Sequence, residues 1–193
     1  MQNLHKVISN IGLRIEITQF LIPNAATRTS QRLRSSKTLM HNERKLINVS
    51  PLVMYETVKN VDNYKNFVPY CYESTVISKT KDSSRAKLSV GFGPVTEHYT
   101  SKLKFQEGCF VEALCSDGKL FSSLNCMWKF KPVRSPHMCV IDFHVDFEFK
   151  SQLHSSLANI FFNEVVKKMV GAFEQEAKRQ SSTAEIKPAL TKV

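Results

Sequence analysis

Three polar residues in the second half of the chain are the first candidates for acid–base or metal chemistry, because a histidine lies between two carboxylates. His144 is two residues from both Asp142 and Asp146 in the segment VIDFHVDFEFK. Apolar and polar residues alternate there, which predicts a half-buried β-strand with all three polar side chains on its solvent-exposed face. We therefore interpret them as a solvated strand face rather than as a catalytic or metal-binding group.

The other groups capable of carrying chemistry are scattered along the chain. Asp62 and Glu97 are carboxylates with no partner evident in the sequence, and His98 and Tyr99 point to opposite sides of a regular strand. Five cysteines form no CxxC pair and no zinc-like spacing with histidine, which indicates free buried thiols in a reducing compartment. The glycines of GFG (residues 91–93) indicate a bend. We therefore predict no catalytic residues, no metal site and no catalytic cofactor.

Residues 40–150 predict an antiparallel sheet of seven strands joined by short turns. The clearest strand is VIDFHVDFEFK, whose apolar side chains all share one face. After the first strand, Ser50 and Pro51 predict the N-cap and the first residue of a helix. A second, short helical segment is predicted to end at Pro69, because the residue before a proline avoids helical geometry.

A long amphipathic helix is predicted from Gln152 to about Arg179. Its apolar residues recur every three or four positions, with Val165 and Met169 on the stripe and Val166 and Val170 widening it. Packing this stripe against the apolar face of the sheet gives an α+β fold in which a curved sheet grips a helix. The apolar sheet face is large for one helix to cover, which predicts a cavity between them.

Residues 1–37 have the composition of a mitochondrial or plastid transit peptide, since they are rich in arginine, serine and threonine and contain one acidic residue, Glu16. A disordered basic tail is the alternative interpretation. The whole chain carries a formal net charge of +10, which favours anionic partners, either nucleic acid or lipid headgroups. No run of about 20 apolar residues is present, so no membrane-spanning helix is predicted.

Three stretches of the chain resemble the coenzyme Q-binding proteins of the START-like, polyketide-cyclase superfamily. They are VSPLVMYETVKNVDNYKNFVPYC, LSVGFGPVTEHYTSKL and FKSQLHSSLANIFFNEVVKKMVGAFEQEAKR. The resemblance implies a helix-grip fold, with a seven-stranded antiparallel sheet around the C-terminal helix and a hydrophobic cavity. It implies a lipid-binding domain at residues 38–179, between the transit peptide (1–37) and a polar tail (180–193). Tyr70 departs from the family, in which tryptophan is frequent at this place, so the shape of the pocket differs there.

The same resemblance implies a function. It implies a non-catalytic protein that binds ubiquinone as a carrier or chaperone and supports respiratory electron transport and coenzyme Q biosynthesis. The implied location is the matrix side of the mitochondrial inner membrane, and the implied partners are that membrane and the respiratory complexes or coenzyme Q biosynthetic enzymes. Two alternatives remain: a ribosome- or RNA-associated module of the same fold, although no nucleic-acid-binding motif is present, and a cyclase-like enzyme.

A pocket for a polyprenyl tail must be mostly apolar, since each buried CH₂ group is worth ~0.8 kcal/mol. Lys65, Lys167 and Lys168 are predicted to contact the membrane, with ordinary solvated charge as the alternative. Ordinary core packing is the alternative for each apolar candidate. The predicted lining residues are Phe67, Val68, Pro69, Val90, Phe92, Trp128, Phe130, Phe143, Val145, Phe147, Leu157, Phe161 and Val165.

Overall fold

The computed structural model describes residues 38–92, 95–115, 117–119, 121–150 and 152–186, without the side chains of residues 92, 95, 149, 152–161 and 184–186. The predicted transit peptide lies outside the described residues. A 3₁₀ helix, Val61–Asn63, separates the first two α-helices. In chain order the other elements are β1 (Leu39–Ile47), α1 (Pro51–Lys59), α2 (Tyr64–Phe67), β2 (Cys71–Lys79), β3 (Ser83–Phe92), β4 (Val95–Gln106), β5 (Phe110–Cys115), β6 (Phe121–Pro132), β7 (Cys139–Phe149) and α3 (Gln152–Ile186).

The seven strands form one antiparallel sheet in the order β1-β7-β6-β5-β4-β3-β2. From β2 to β7 every strand pairs with its neighbour in sequence, and β1 then pairs with β7. The predicted α+β fold, with a seven-stranded antiparallel sheet and a long C-terminal helix, is confirmed. We call the face of the sheet towards α3 the inner face and the opposite face the outer face.

Strand β7 shows why its sequence alternates. Ile141, Phe143 and Val145 are buried on the inner face, whereas Asp142 and His144 are half-buried on the outer face. The prediction that the acidic residues and the histidine of this strand lie on its polar face is therefore confirmed. Successive side chains of a strand point to opposite faces, so each apolar residue faces the core and each polar residue faces water.

Ion pairs on the outer face connect three strands around one carboxylate. Asp142 on β7 accepts hydrogen bonds from the Arg44 guanidinium on β1 and forms an ion pair with Lys131 on β6, with Lys131 Nζ 2.6 Å from Asp142 Oδ2. The two cations hold the pKa of the Asp142 carboxyl well below its ordinary value, because they stabilise its charged form. Asp142 therefore stabilises the β1-β7-β6 part of the sheet only while it is ionised.

Helix α1 begins where the sequence predicts. The Ser50 Oγ accepts a hydrogen bond from the Val53 N–H at 3.3 Å, and Pro51 occupies the first helical turn. Proline lacks the N–H group that a first-turn residue leaves unpaired, so it is tolerated there. The short helix α2 ends before Pro69, as predicted, and Tyr70 then adopts a φ of 66°, which turns the chain into β2.

Helix α3 continues to Ile186 instead of ending near Arg179. The polar sequence after Arg179 predicted the end of the helix there, but α1 supplies a tertiary contact that local composition cannot reveal. Thr57 Oγ1 on α1 donates a hydrogen bond to Gln180 Oε1 at 3.2 Å, and Thr183 Oγ1 donates to the Arg179 carbonyl at 2.9 Å. No helix in the described part of the chain is both long and apolar enough to cross a bilayer.

The buried stripe of α3 is rotated from the one that the sequence predicts. Val166 and Val170 are 5% and 2% exposed, whereas Val165 and Met169 are only half-buried. The most deeply buried face of the helix therefore includes Phe162, Val166 and Val170, which were expected to widen the stripe, and Phe173, which was predicted on the stripe itself. Its members are Phe162, Val166, Val170, Phe173 and Ala177.

Candidate functional site

Aromatic side chains connect α3 to the inner face of the sheet. Trp128 on β6 lies opposite Phe143 on β7 with ring centroids 4.5 Å apart, and its ring is 5.2 Å from that of Phe173 on α3. Further along, the rings of Phe147 on β7 and Phe162 on α3 are 5.1 Å apart. Large aromatic rings bury much apolar area, so these contacts hold the helix over β6 and β7.

At the end of the sheet near α1, the inner face is closely packed. Phe130 on β6 and Ile141 on β7 lie opposite each other and are 3% and 0% exposed. The ring of Tyr55 on α1 meets that of Phe130 edge-on, with centroids 6.1 Å apart. This end of the inner face is filled by protein and forms the hydrophobic core.

At the other end of the inner face, the inward-pointing side chains are less completely covered. Each of them is half-buried, and all but Val165 pack against the core. The cavity that the sequence predicts between the sheet and the helix would lie beside these half-buried residues. We call the space bordered by these residues the candidate cavity, and they are Tyr99, Ala113, Leu124, Cys126, Phe147, Val165 and Met169.

Ionisable groups at the candidate cavity, and Tyr64 outside it, are held in their neutral forms. Burial raises the pKa of the Tyr99 and Tyr64 hydroxyls well above the ordinary range, because a phenolate there would lose its hydration. The same desolvation raises the pKa of the Cys126 thiol to about 12. Tyr99 and Cys126 are thus half-buried groups that remain neutral. All three groups are protonated at physiological pH.

The carboxylate of Glu97 lies on the same face of β4 as Tyr99, and Glu97 is 3% exposed. The Lys119 N–H donates a hydrogen bond to its Oε1, so the loop before β6 supplies a partner that the sequence did not reveal. A glycine is needed in that loop, because a Cβ at Gly118 would lie 2.7 Å from Glu97 Oε1 and 2.6 Å from the Phe121 ring. The carboxylate is therefore built into the protein beside the candidate cavity.

The predicted lining residues fall into three groups. Five are buried in the core: Val68, Trp128, Phe130, Phe143 and Val145. Five are half-buried: Phe67, Pro69, Val90, Phe147 and Val165. Three have side chains outside the described residues: Phe92, Leu157 and Phe161. Only Phe147 and Val165 of the full set border the candidate cavity as defined above, and contact of any residue with a ligand stays a prediction.

Some residues of the candidate cavity were missed from the sequence. Tyr99 could have been found from the alternation of β4, because it lies an even number of residues from Leu103, which is buried on the same face. Phe105 is buried on that face too. Cys126 and Leu124 alternate with Trp128 on β6, so the same pattern predicts that they share its face of the sheet.

Lys65, Lys167 and Lys168, the predicted membrane contacts, are all exposed. Lys65 belongs to α2 and the other two belong to α3. None of them forms an ion pair with another residue in the described part of the chain. Their charges are therefore available to an external partner, and membrane contact stays a prediction.

The histidine–aspartate pair lies on the outer face beside a shallow cavity of about 430 Å³. His144 Nε2 is 2.9 Å from Asp146 Oδ1, Asn42 Oδ1 is 2.7 Å from His144 Nδ1, and Asn125 Nδ2 donates to Asp146 Oδ2 at 2.7 Å. Each polar group thus has a partner within the sheet. Among the described residues, no cluster of histidine, cysteine and carboxylate side chains could hold a metal ion. The shallow cavity is lined by Glu112, Leu114, Asn125, Cys126, Met127, Lys129, His144 and Asp146.

All five cysteines are unpaired thiols. Cys71, Cys115 and Cys139 are buried and Cys126 is half-buried, as the sequence predicts for most of them. Cys109 is exposed, so the prediction of burial is wrong for this thiol. It lies in the turn between β4 and β5, outside the strands whose alternation buries the other thiols.

Comparison with known proteins identifies the family. The family model described as "polyketide cyclase / dehydrase and lipid transport" matches residues 47–174. The chain belongs to this family. The mitochondrial coenzyme Q-binding protein homolog B of Xenopus laevis is 49% identical over 149 residues, which are 76% of this chain and 61% of that protein. The chain thus spans about three fifths of the length of this relative.

More distant family members are covered over more of their length. The mitochondrial coenzyme Q-binding protein of Schizosaccharomyces pombe is 31% identical over 69% of this chain and 84% of its own length. The ribosome association toxin of Escherichia coli is also 31% identical, over 69% of this chain and 83% of its own length. The resemblance to coenzyme Q-binding proteins that the sequence motifs indicate is confirmed.

Solved structures show the same fold. The aromatase/cyclase Zhui of a Streptomyces species aligns with a TM-score of 0.67 at 9% identity and covers 75% of this chain and 96% of that protein. A START superfamily protein of Mycobacterium smegmatis aligns with a TM-score of 0.64 at 12% identity, over 73% of this chain and 98% of that protein. The predicted START-like helix-grip fold is confirmed.

Proposed function

We propose that this protein binds ubiquinone in the candidate cavity and acts as its carrier or chaperone, in support of respiratory electron transport and coenzyme Q biosynthesis. The observation that carries the proposal is the character of the cavity wall. Its side chains point inward, are left partly uncovered, and are either apolar or held neutral by burial. A mostly apolar wall with a few polar atoms suits a ligand with a hydrocarbon tail and a small polar head. The names of the relatives in Xenopus and Schizosaccharomyces support this choice of ligand.

A binding role fits this wall better than a cyclase role. Tyr99 and Cys126 stay protonated at physiological pH, so neither supplies a nucleophile or a general base. The carboxylate of Glu97 accepts a hydrogen bond from the Lys119 N–H, so the loop before β6 already holds it as a structural group. We therefore propose a non-enzymatic protein with ubiquinone as its ligand.

The proposed location is the matrix side of the mitochondrial inner membrane. Residues 1–37 would direct import, residues 38–179 would form the lipid-binding domain, and residues 180–193 would form the C-terminal tail. Lys65, Lys167 and Lys168 are exposed and would meet anionic headgroups while the ligand is exchanged. The ligand would be delivered to respiratory complexes or to coenzyme Q biosynthetic enzymes. Support comes from the relatives named as mitochondrial.

The test of ubiquinone binding is mass spectrometry of the lipids that copurify with the full chain expressed in a ubiquinone-producing host. A matched pair of variants locates the site, because Ala113 and Leu114 are adjacent on β5 and point to opposite faces. Ala113→Phe fills the candidate cavity and is expected to lower copurified ubiquinone several-fold, whereas Leu114→Phe adds the ring to the outer face and leaves it unchanged. Circular dichroism checks that both variants fold. Absence of quinone from the wild type, even after quinone is added, would overturn the proposal.

A second candidate function, association with RNA or ribosomes, is favoured by a basic strip on the outer face of the sheet. Arg85 on β3 lies directly opposite Lys102 on β4, and like charges in that position destabilise a sheet. None of the strip residues forms an ion pair in the described part of the chain, so their charge is open to an anionic partner. The strip consists of Arg85, Lys87, Lys102 and Lys104, all exposed.

Cosedimentation distinguishes this second function from membrane contact. The full chain is mixed with ribosomes or with anionic liposomes at physiological salt, and Arg85→Gln with Lys102→Gln is compared with the wild type. Ribosome binding that the double variant weakens would favour the second function, since each lost phosphate contact lowers the affinity and its salt dependence. Pelleting with liposomes alone would assign the strip to lipid headgroups.

A further inference from the structure

Two tyrosines near the candidate cavity differ in what their hydroxyl groups do. The Tyr64 hydroxyl donates a hydrogen bond to the Val58 carbonyl, so α2 is joined to the end of α1. The Tyr99 ring packs edge-on against Phe121 with centroids 5.2 Å apart, but its hydroxyl forms no hydrogen bond with any group in the described part of the chain. Buried polar groups normally have a partner, because leaving one unpaired costs the full loss of its hydration.

The surroundings of Tyr99 leave it as the available donor. The Cys115 thiol lies 3.2 Å from Asp117 Oδ1 and the Cys71 thiol lies 3.4 Å from the Glu73 carbonyl, so both already have protein acceptors. Leu88 lies opposite Tyr99 on β3 and presents only apolar atoms. A ligand that enters the candidate cavity therefore meets one hydroxyl that donates no hydrogen bond to any protein group in the described part of the chain.

We propose that Tyr99 recognises the polar head of the ligand, with its hydroxyl donating a hydrogen bond to a carbonyl oxygen of the quinone ring. This inference rests on the proposed function and names the atom that would distinguish a quinone from a plain hydrocarbon. A quinone carbonyl accepts hydrogen bonds and cannot donate them, so its partner must keep a proton. The buried phenol meets that need, since desolvation disfavours its ionisation. The apolar wall would then hold the isoprenoid tail.

The test compares Tyr99→Phe with Tyr64→Phe in the full chain, using two probes. Decylubiquinone carries the quinone head, and diphenylhexatriene is a hydrocarbon fluorophore with no hydrogen-bonding atom. Tyr99→Phe is expected to weaken decylubiquinone binding roughly 5- to 30-fold, the effect of one lost hydrogen bond to a buried carbonyl. The affinity for diphenylhexatriene should not change. Tyr64→Phe is expected to lower the melting temperature and to preserve the preference for quinone over hydrocarbon.

Infrared difference spectra of the bound quinone give a second measurement, which reports the hydrogen bond to the carbonyl and not the stability of the fold. The carbonyl stretching band is expected to shift to higher wavenumber in Tyr99→Phe, because the hydrogen bond that weakens the C=O bond is gone. Unchanged decylubiquinone affinity and an unchanged band in Tyr99→Phe would overturn the role of Tyr99 and leave the proposed function standing. Failure of the wild-type protein to bind decylubiquinone would instead overturn the proposed function itself.

Discussion

Val165 and Val166 are adjacent on α3 and test whether the helix turns one face to a cavity and another to a packed core. Val166 is 5% exposed in the core, whereas Val165 is half-buried at the candidate cavity. Alanine at either position gains the same helix propensity, so this contribution cancels in the comparison. The difference in stability between the two variants therefore reports what each side chain packs against.

The magnitude follows from the atoms removed. Val166→Ala deletes two methyl groups worth ~0.8 kcal/mol each and leaves a void in packed surroundings, for a total loss of about 2–3 kcal/mol in the free energy of unfolding. Val165→Ala is expected to cost about 0.5–1 kcal/mol, since its side chain is only half-buried and less apolar area is lost.

Urea denaturation of both variants, followed by circular dichroism, measures this difference. With a slope of about 2 kcal/mol per molar urea, the unfolding midpoint of Val166→Ala should lie roughly 1 M below that of the wild type. The midpoint of Val165→Ala should move much less. Equal losses of stability, or a larger loss in Val165→Ala, would refute the assignment of Val165 to a cavity wall. Val165 would then pack like any other core residue.

Three further predictions follow from single contacts. Gly118→Ala should lower the free energy of unfolding by about 1–3 kcal/mol in a urea titration, because the new Cβ would lie only 2.6 Å from the Phe121 ring. A variant as stable as the wild type would contradict this packing. Asp142 has a folded pKa below its ordinary 3.8, so its stabilisation is complete above that value and is lost as the pH falls below it. Asp142→Asn should therefore flatten the loss of stability on acidification below about pH 4, and an unchanged acid profile would count against the ion pairs. Iodoacetamide at pH 8 should alkylate exposed Cys109 well before Cys126, because burial raises the pKa of the Cys126 thiol to about 12. Peptide mass spectrometry follows the order of alkylation, and the reverse order would contradict the burial of Cys126.

The sequence predicted well those features that arise from local periodicity. Strand β7 alternates over its whole length, and the Ser50–Pro51 pair marks the first turn of α1 whatever the rest of the chain does. The seven-stranded sheet and the long helix followed from repeating such local signals along the chain. Agreement between local patterns and the overall fold is what makes these elements predictable.

The features that the sequence did not predict depend on contacts between distant residues. The last turns of α3 are polar and become ordered where Gln180 meets Thr57 on α1. The rotation of the helix over the sheet decides that Val166 is core and Val165 is not, because both lie on one broad apolar stripe. Glu97 acquires its partner from a loop 22 residues away in sequence.

The central claim is that ubiquinone binds in the candidate cavity, and photoaffinity labelling tests both the binding and the place. The full chain is irradiated with an azido-ubiquinone, with and without excess decylubiquinone, and the modified peptides are identified by mass spectrometry. The predicted result is labelling that decylubiquinone suppresses and that maps to inner-face residues such as Tyr99, Leu124, Phe147 and Met169. Labelling that is not suppressed, or that maps to outer-face residues such as His144, would contradict the claim.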